Sequence, residues 1–226
     1  MVDAAHSVAC GARETAVRLS EIFFSLQGEA ARSGMPTVFI RLTGCPLRCT
    51  WCDTEYAFSG GATTPISTIL AEVAKYPTRH VCVTGGEPLA QKAGLTLLTA
   101  LCDAGYDVCL ETSGALDIAP VDTRVARIMD LKAPGSGECD KNLLSNIADL
   151  RATDEIKIVI ASRADFDWAG QMIAEHDLTA CCDVVLSPVA SQQNPTELAE
   201  WILAAGLNVR FQLQLHKLLW EDARGK

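Results

Sequence analysis

The sequence predicts an α/β domain, built as an open, partial TIM-like barrel of six or seven mostly parallel strands with crossover helices. Three observations carry that prediction. Short apolar, β-branched runs recur along the chain, spaced by a few tens of residues. Helical patterns with recognisable ends fill several of the gaps. The runs themselves, such as Val184-Val185-Leu186, are near-continuously apolar, which fits parallel strands covered on both faces.

In chain order the strand candidates are Thr37–Arg41, His80–Thr84, Asp107–Glu111, Arg127–Leu131, Glu155–Ile160, Asp183–Pro188 and Val209–Leu215. Between the first two, Thr64 and Pro65 read as cap and first position of a helix. Its Ile66, Ile69, Leu70 and Val73 share one face, and Pro77 closes it. A second helix runs from Asn194-Pro195 through Leu198, Trp201 and Ile202 to Gly206. Strands alternating with helices imply parallel pairing through right-handed crossovers. A full eight-stranded barrel takes roughly 250 residues, so six or seven units leave it open.

Nearly half of the 226 residues are apolar, enough for one core without an internal linker. The core domain is expected over residues 19–226, with residues 1–18 as an N-terminal extension that is disordered on its own. The 28 acidic against 19 basic residues give a net charge of −9. That balance repels a phosphate backbone, so no direct nucleic-acid contact is expected. No apolar run is long enough to span a bilayer and no signal-peptide core precedes Leu19, so a cytoplasmic protein is expected, away from membranes. Its ten cysteines should then be mostly reduced. Cys10, Cys82, Cys102, Cys109, Cys139, Cys181 and Cys182 read for the most part as small core hydrophobes.

In sheets of this kind functional groups collect at the C-terminal strand ends. The loop after Thr37–Arg41 carries Cys45, Cys49 and Cys52; the loop after His80–Thr84 carries Gly85, Gly86 and Glu87; Glu111 ends the third strand. Gly44 and Pro46 keep the cysteine segment from being helix or strand. A structural zinc site wants four ligands, usually as two separated Cys-x-x-Cys pairs, and no second pair is present. A 4Fe-4S cluster on three thiolates instead leaves one iron open for a ligand.

The C-x3-C-x2-C spacing, with Trp51 just before the last cysteine, resembles the radical S-adenosylmethionine superfamily, whose open iron binds the methionine moiety. Thr84-Gly85-Gly86-Glu87-Pro88 is similar to that family's glycine-rich motif, where Glu87 would offer a carboxylate to the methionine ammonium. Within the superfamily, further stretches resemble the 7-carboxy-7-deazaguanine synthase branch. They are Glu21 to Glu29, Phe39-Ile40-Arg41, Cys52-Asp53-Thr54, Glu111-Thr112-Ser113-Gly114, Met129-Asp130-Leu131-Lys132 and Gln214-Leu215-His216-Lys217.

That resemblance implies a carboxypterin held by Leu26, Gln27, Gly28, Glu29, Arg41 and His216, with Arg41 on its carboxylate. It implies an S-adenosylmethionine site lined by Thr84, Gly85, Gly86, Glu87, Glu111, Ser113, Asp130, Lys132 and Ser187. Thr54 would ligate Mg2+, with Asp53 orienting it. One departure stands out: Ala30 occupies a position where the family has glycine, which matters if that backbone needs a positive φ.

The implied reaction is a lyase-type ring contraction in queuosine biosynthesis. 6-Carboxy-5,6,7,8-tetrahydropterin would become 7-carboxy-7-deazaguanine with loss of ammonia, after a 5'-deoxyadenosyl radical removes a hydrogen at C6. The resemblance also suggests a homodimer and an electron donor such as flavodoxin. Two readings compete: an activase that places a glycyl radical on a partner enzyme, and a non-catalytic zinc-binding protein. Product distinguishes the first and S-adenosylmethionine cleavage the second.

Overall fold

The structure, a computed structural model, describes residues 14–190, 192–221 and 223–226. In chain order its elements are β1 (Ala16–Leu26), β2 (Pro36–Leu42), β3 (Ala62–Pro65), α1 (Ile66–Val73), β4 (His80–Gly85), α2 (Lys92–Asp103), β5 (Asp107–Thr112) and β6 (Ala126–Asp130). They continue with β7 (Glu155–Ile160), α3 (Arg163–Glu175), α4 (Leu178–Cys181), β8 (Asp183–Pro188), α5 (Pro195–Ala205), β9 (Arg210–Phe211) and α6 (Leu215–Trp220). One nine-stranded sheet runs β3-β1-β2-β4-β5-β6-β7-β8-β9. Every pairing from β2 to β9 is parallel. The sheet is open, and its seven parallel strands fall at the seven expected runs.

Alternation along each strand sorts the side chains onto two faces. On β2 and β4, Val38, Ile40, Leu42, Val81 and Val83 pack with Ile69 and Val73 of α1 and Leu97, Leu98 and Leu101 of α2. On β7, Ile156, Ile158 and Ile160 meet Phe166 and Met172 of α3 and Leu198 and Ile202 of α5. The opposite face holds only a small cluster of Phe39, Cys82, Cys109, Ile128 and Ala30. Helices therefore cover one face, and the expected cover on the other comes from inward side chains around a cleft.

Local chemistry sets the helix ends. Asn194 Oδ1 accepts from the Thr196 and Glu197 amides at the start of α5, Pro195 takes the first position, and Gly206 ends it at φ 61°. Such a cap is worth about 1 kcal/mol. Helix α1 starts one residue later than expected: Pro65 is its cap, and Thr64 belongs to β3.

Two strands were not anticipated. β1 pairs antiparallel with β2 on one side and with β3 on the other. Its sequence, Ala-Val-Arg-Leu-Ser-Glu-Ile-Phe-Phe-Ser-Leu, is half-buried through most of its length and lacks a continuous apolar run. Val17, 1% exposed, sits in the main core, so the folded unit reaches into the expected N-terminal extension. The rest of that extension, residues 1–13 with Cys10, lies outside the described residues. At the other end, Val209–Leu215 contracts to the two-residue β9, and Leu215 opens α6. Among the described residues no helix is long and apolar enough to cross a membrane.

Candidate active site

The loops at the C-terminal ends of the parallel strands surround a cleft of about 530 Å3, within the range of small-molecule sites. Every candidate site residue lines it except Glu87 and Ser187.

Cys45, Cys49 and Cys52 enter from the loop after β2, as free, half-buried thiols. Neighbouring backbone fixes that loop. The Gly44 amide donates to Ala57 O (2.8 Å) and the Thr50 amide to Ser136 O (3.0 Å). The Arg48 amide donates to Glu138 Oε1 at 2.6 Å, and Thr50 Oγ1 to Gly135 O at 2.8 Å. Burial pushes all three thiols above the usual cysteine value. They become thiolates once a metal replaces the proton.

Gly86 is required for this packing. A Cβ there would lie 2.2 Å from Gly44 O and 3.0 Å from Cys45 Cβ. The glycine motif thus brings its backbone against the cysteine loop.

Glu87, expected to meet a ligand ammonium, is 0% exposed and turned away from the cleft. Its carboxylate accepts from the Leu89 amide (2.9 Å), the Ser113 amide (2.7 Å), Ser113 Oγ (2.5 Å) and, through both oxygens, Thr112 Oγ1 (3.0 Å). With its acceptors engaged, it ties the β4 loop to the end of β5. Ser187 is also buried away from the cleft, 2% exposed, and its hydroxyl has no hydrogen-bond partner among the described residues.

A charge network crosses the floor. Thr84 Oγ1 donates to Glu111 Oε2 (2.7 Å) and Gln27 Nε2 to Glu111 Oε1 (3.3 Å). Asp130 pairs with Lys132 at 3.1 Å and with Lys157 at 3.4 Å. Lys157 also pairs with Glu29, which accepts from Gln214 Nε2 at 2.6 Å. Burial alone would raise the Asp130 pKa, but Lys132 and Lys157 hold it below the usual carboxylate value. Asp130 Oδ1 is buried without a partner among the described residues, an open acceptor in the cleft wall.

Arg41, at the end of β2, gives its Nε to Glu21 Oε1 at 2.9 Å, and Tyr56 donates its hydroxyl to the same oxygen at 2.8 Å. Glu21 thereby holds the guanidinium by one edge. Gly28 lets His216 come close: a Cβ there would lie 2.2 Å from His216 Nδ1. Ala30 adopts φ 63°, the left-handed region that favours glycine. Thr54 Oγ1 donates to Asp53 Oδ1 at 2.7 Å, so the two oxygens stand side by side.

Sequence reasoning missed Lys157 and Gln214 on the cleft wall, and Glu21 with Tyr56 as the support of Arg41. Lys157 had a usable signal: a lysine between Ile156 and Ile158 in a run otherwise apolar through Ile160.

The Radical SAM superfamily profile matches residues 39–134. A 7-carboxy-7-deazaguanine synthase from Chlorobaculum tepidum is 45% identical over 217 residues, covering 94% of this chain and 98% of that protein. Its counterpart from Koribacter versatilis is 40% identical, covering 90% and 97%. The chain belongs to the 7-carboxy-7-deazaguanine synthase family. The fold agrees with that membership: the crystal structure of QueE from Escherichia coli superposes with a TM-score of 0.74 at 24% identity, covering 89% of this chain and 95% of that one. Streptococcus suis SuiB bound to S-adenosylmethionine shares the fold more distantly, with a TM-score of 0.51 at 14% identity over 77% of this chain and 47% of that one.

The site fits the groups that a radical S-adenosylmethionine enzyme of this family uses. Three unpaired thiols face the cleft, and Asp130 Oδ1 offers an acceptor to a second ligand. Among the described residues no three His, Cys, Asp or Glu side chains gather closely enough to hold a single metal ion.

Proposed function

We propose that this cleft converts 6-carboxy-5,6,7,8-tetrahydropterin to 7-carboxy-7-deazaguanine with release of ammonia, Cys45, Cys49 and Cys52 holding the 4Fe-4S cluster. The observation that carries the reading is convergence: the three thiols, the open acceptor of Asp130, and Arg41 with Glu29 line one cleft, in a chain similar to a synthase of this name over 94% of its length. When bound, the cluster and S-adenosylmethionine supply a primary carbon radical that removes one hydrogen from the substrate.

The chain's own residues bind, orient and exclude water. Arg41, held through Nε by Glu21, keeps its terminal nitrogens for a bidentate pair with the substrate carboxylate. Glu29, Gln27 and His216 supply acceptors and donors to the pterin edge. Glu111 and Asp130, with Lys132, line the side occupied by S-adenosylmethionine. Thr54 and Asp53 provide two oxygens for a Mg2+ that completes its shell with water and substrate. The working form is a homodimer in the cytoplasm, reduced by a small donor such as flavodoxin.

The test is anaerobic. The chain is reconstituted with iron and sulfide, reduced, and given S-adenosylmethionine and the carboxytetrahydropterin. 5'-Deoxyadenosine and 7-carboxy-7-deazaguanine are then followed by mass spectrometry. Both appear, and both vanish in Cys49→Ala; deoxyadenosine without the deazaguanine would refute the substrate. Thr54→Ala should retain the cluster yet lose the response to added Mg2+, and unchanged kinetics across a magnesium titration of the unaltered enzyme would remove that role.

A further inference from the structure

Lys157 has no part in the roles assigned so far, yet it joins the two sides of the cleft. On β7, Ile156, Ile158 and Ile160 point into the helix-covered core, while Lys157 and Val159 line the cleft. The Lys157 side chain is only 14% exposed, and an enclosed ammonium is stable only when carboxylates hold it. Two do: Glu29 Oε2, and Asp130 Oδ2 at 3.4 Å. Burial alone would lower the lysine pKa, but Glu29, Asp130 and Glu111 together keep it well above the usual value.

These carboxylates serve different ligands in the proposed function, on which this inference rests. Glu29, on the loop after β1, faces the pterin; Asp130, with Lys132, faces S-adenosylmethionine. The geometry points to Lys157 as the positioning residue that ties Glu29 to Asp130 and so holds the substrate in register with the cofactor. Register is what this chemistry needs, because a primary radical attacks whichever C–H lies nearest. A misplacement of about 1 Å costs on the order of a hundredfold in productive reaction.

The link is not needed to hold each carboxylate in the fold. Asp130 retains Lys132 at 3.1 Å and Glu29 retains Gln214 at 2.6 Å without it. What Lys157 alone adds, among the described residues, is a cation shared by both.

The experiment compares the reconstituted enzyme with Lys157→Met, which keeps the apolar stem, and Lys157→Arg, which keeps a charge able to bridge two carboxylates. Iron content and the absorption of the cluster are measured first. The readout is then 5'-deoxyadenosine released per 7-carboxy-7-deazaguanine formed, with the pterin KM. Lys157→Met should load iron normally and cleave S-adenosylmethionine within about threefold of the unaltered enzyme. Its deoxyadenosine-to-product ratio should rise about tenfold as the pterin KM climbs, and Lys157→Arg should bring both back towards the starting values.

A merely structural role would lower both products together and leave the ratio unchanged. That result overturns the inference, and so does an arginine variant no better than methionine. Should Lys157→Met not fold, Lys157→Gln takes its place: a raised ratio supports the link and an unchanged one overturns it. An unaltered enzyme that makes no deazaguanine removes the functional reading and this inference with it, an outcome visible before any variant is made.

Discussion

Replacing Glu87 by glutamine tests whether its carboxylate serves the fold or a ligand. The carboxylate is 0% exposed and accepts from two backbone amides, Leu89 and Ser113, and from the hydroxyls of Thr112 and Ser113. A glutamine amide turns one of the two oxygens into a donor. If the NH2 faces Ser113, the Ser113 N–H loses its acceptor; if it faces Leu89, the Leu89 N–H does. Each unsatisfied buried donor costs about 1–3 kcal/mol, and bonds to a charged acceptor are worth about 1.5–3. Together they give a destabilisation of about 3 kcal/mol. For a chain of this size each kcal/mol moves the melting midpoint by about 2–4 °C, so Glu87→Gln should melt about 6–12 °C lower. Circular dichroism of the metal-free chain reads this directly, with S-adenosylmethionine affinity measured on the reconstituted enzyme. A variant that melts within about 2 °C of the unaltered chain while losing that affinity would refute the argument and return Glu87 to the ligand.

Three further outcomes follow from the same geometry. Glu21→Gln removes the charged partner of Arg41 Nε; the pterin KM should rise about tenfold, and the melting midpoint should fall as well, since a pair whose side chains are only 15% and 17% exposed costs more to break than a surface pair. Gly28→Ala places a methyl 2.2 Å from His216 Nδ1, and steady-state kinetics should show the pterin KM rising with S-adenosylmethionine affinity unchanged. Asp154 is buried against Arg127 at 2.6 Å; burial would raise its pKa, but hydrogen bonds from Arg127 and Arg151 lower it below the unfolded value. Its contribution is therefore present above the unfolded carboxylate pKa and lost as pH falls through the depressed one. Asp154→Asn should cost about 3–5 kcal/mol near pH 7, and urea titrations should show that deficit shrinking towards pH 3.

Much of this was legible because it rests on local chemistry. Parallel strands buried on both faces leave apolar runs of the kind seen at β4, β5 and β8, and Asn194, Pro195 and Gly206 mark α5 by rules that act within one turn. The cysteine loop was readable for the same reason. β1 was not, because an antiparallel strand near the sheet edge keeps Arg18, Ser20 and Glu21 among its apolar residues. Glu87 illustrates the other limit. Its motif shows that a carboxylate stands beside paired glycines, but only the tertiary arrangement reveals that Thr112 and Ser113 occupy it. At Ala30 the sequence left open whether the backbone needs a positive φ; the fold does take one there, although the residue is not glycine.

The bonds that complete the cleft also bear on when it forms. Glu29 depends on Lys157, 128 residues further along, and on Gln214, 185 residues further along. The amides of the cysteine loop lean on Ser136 and Glu138. During synthesis the three thiols therefore leave the ribosome well before the segments that will hold them, and contacts of such long sequence separation form late in folding. Cluster insertion is thus a step for the finished chain. Until Ser136 and Glu138 have reached the cysteine loop, the emerging cysteines are ordinary thiols open to oxidation.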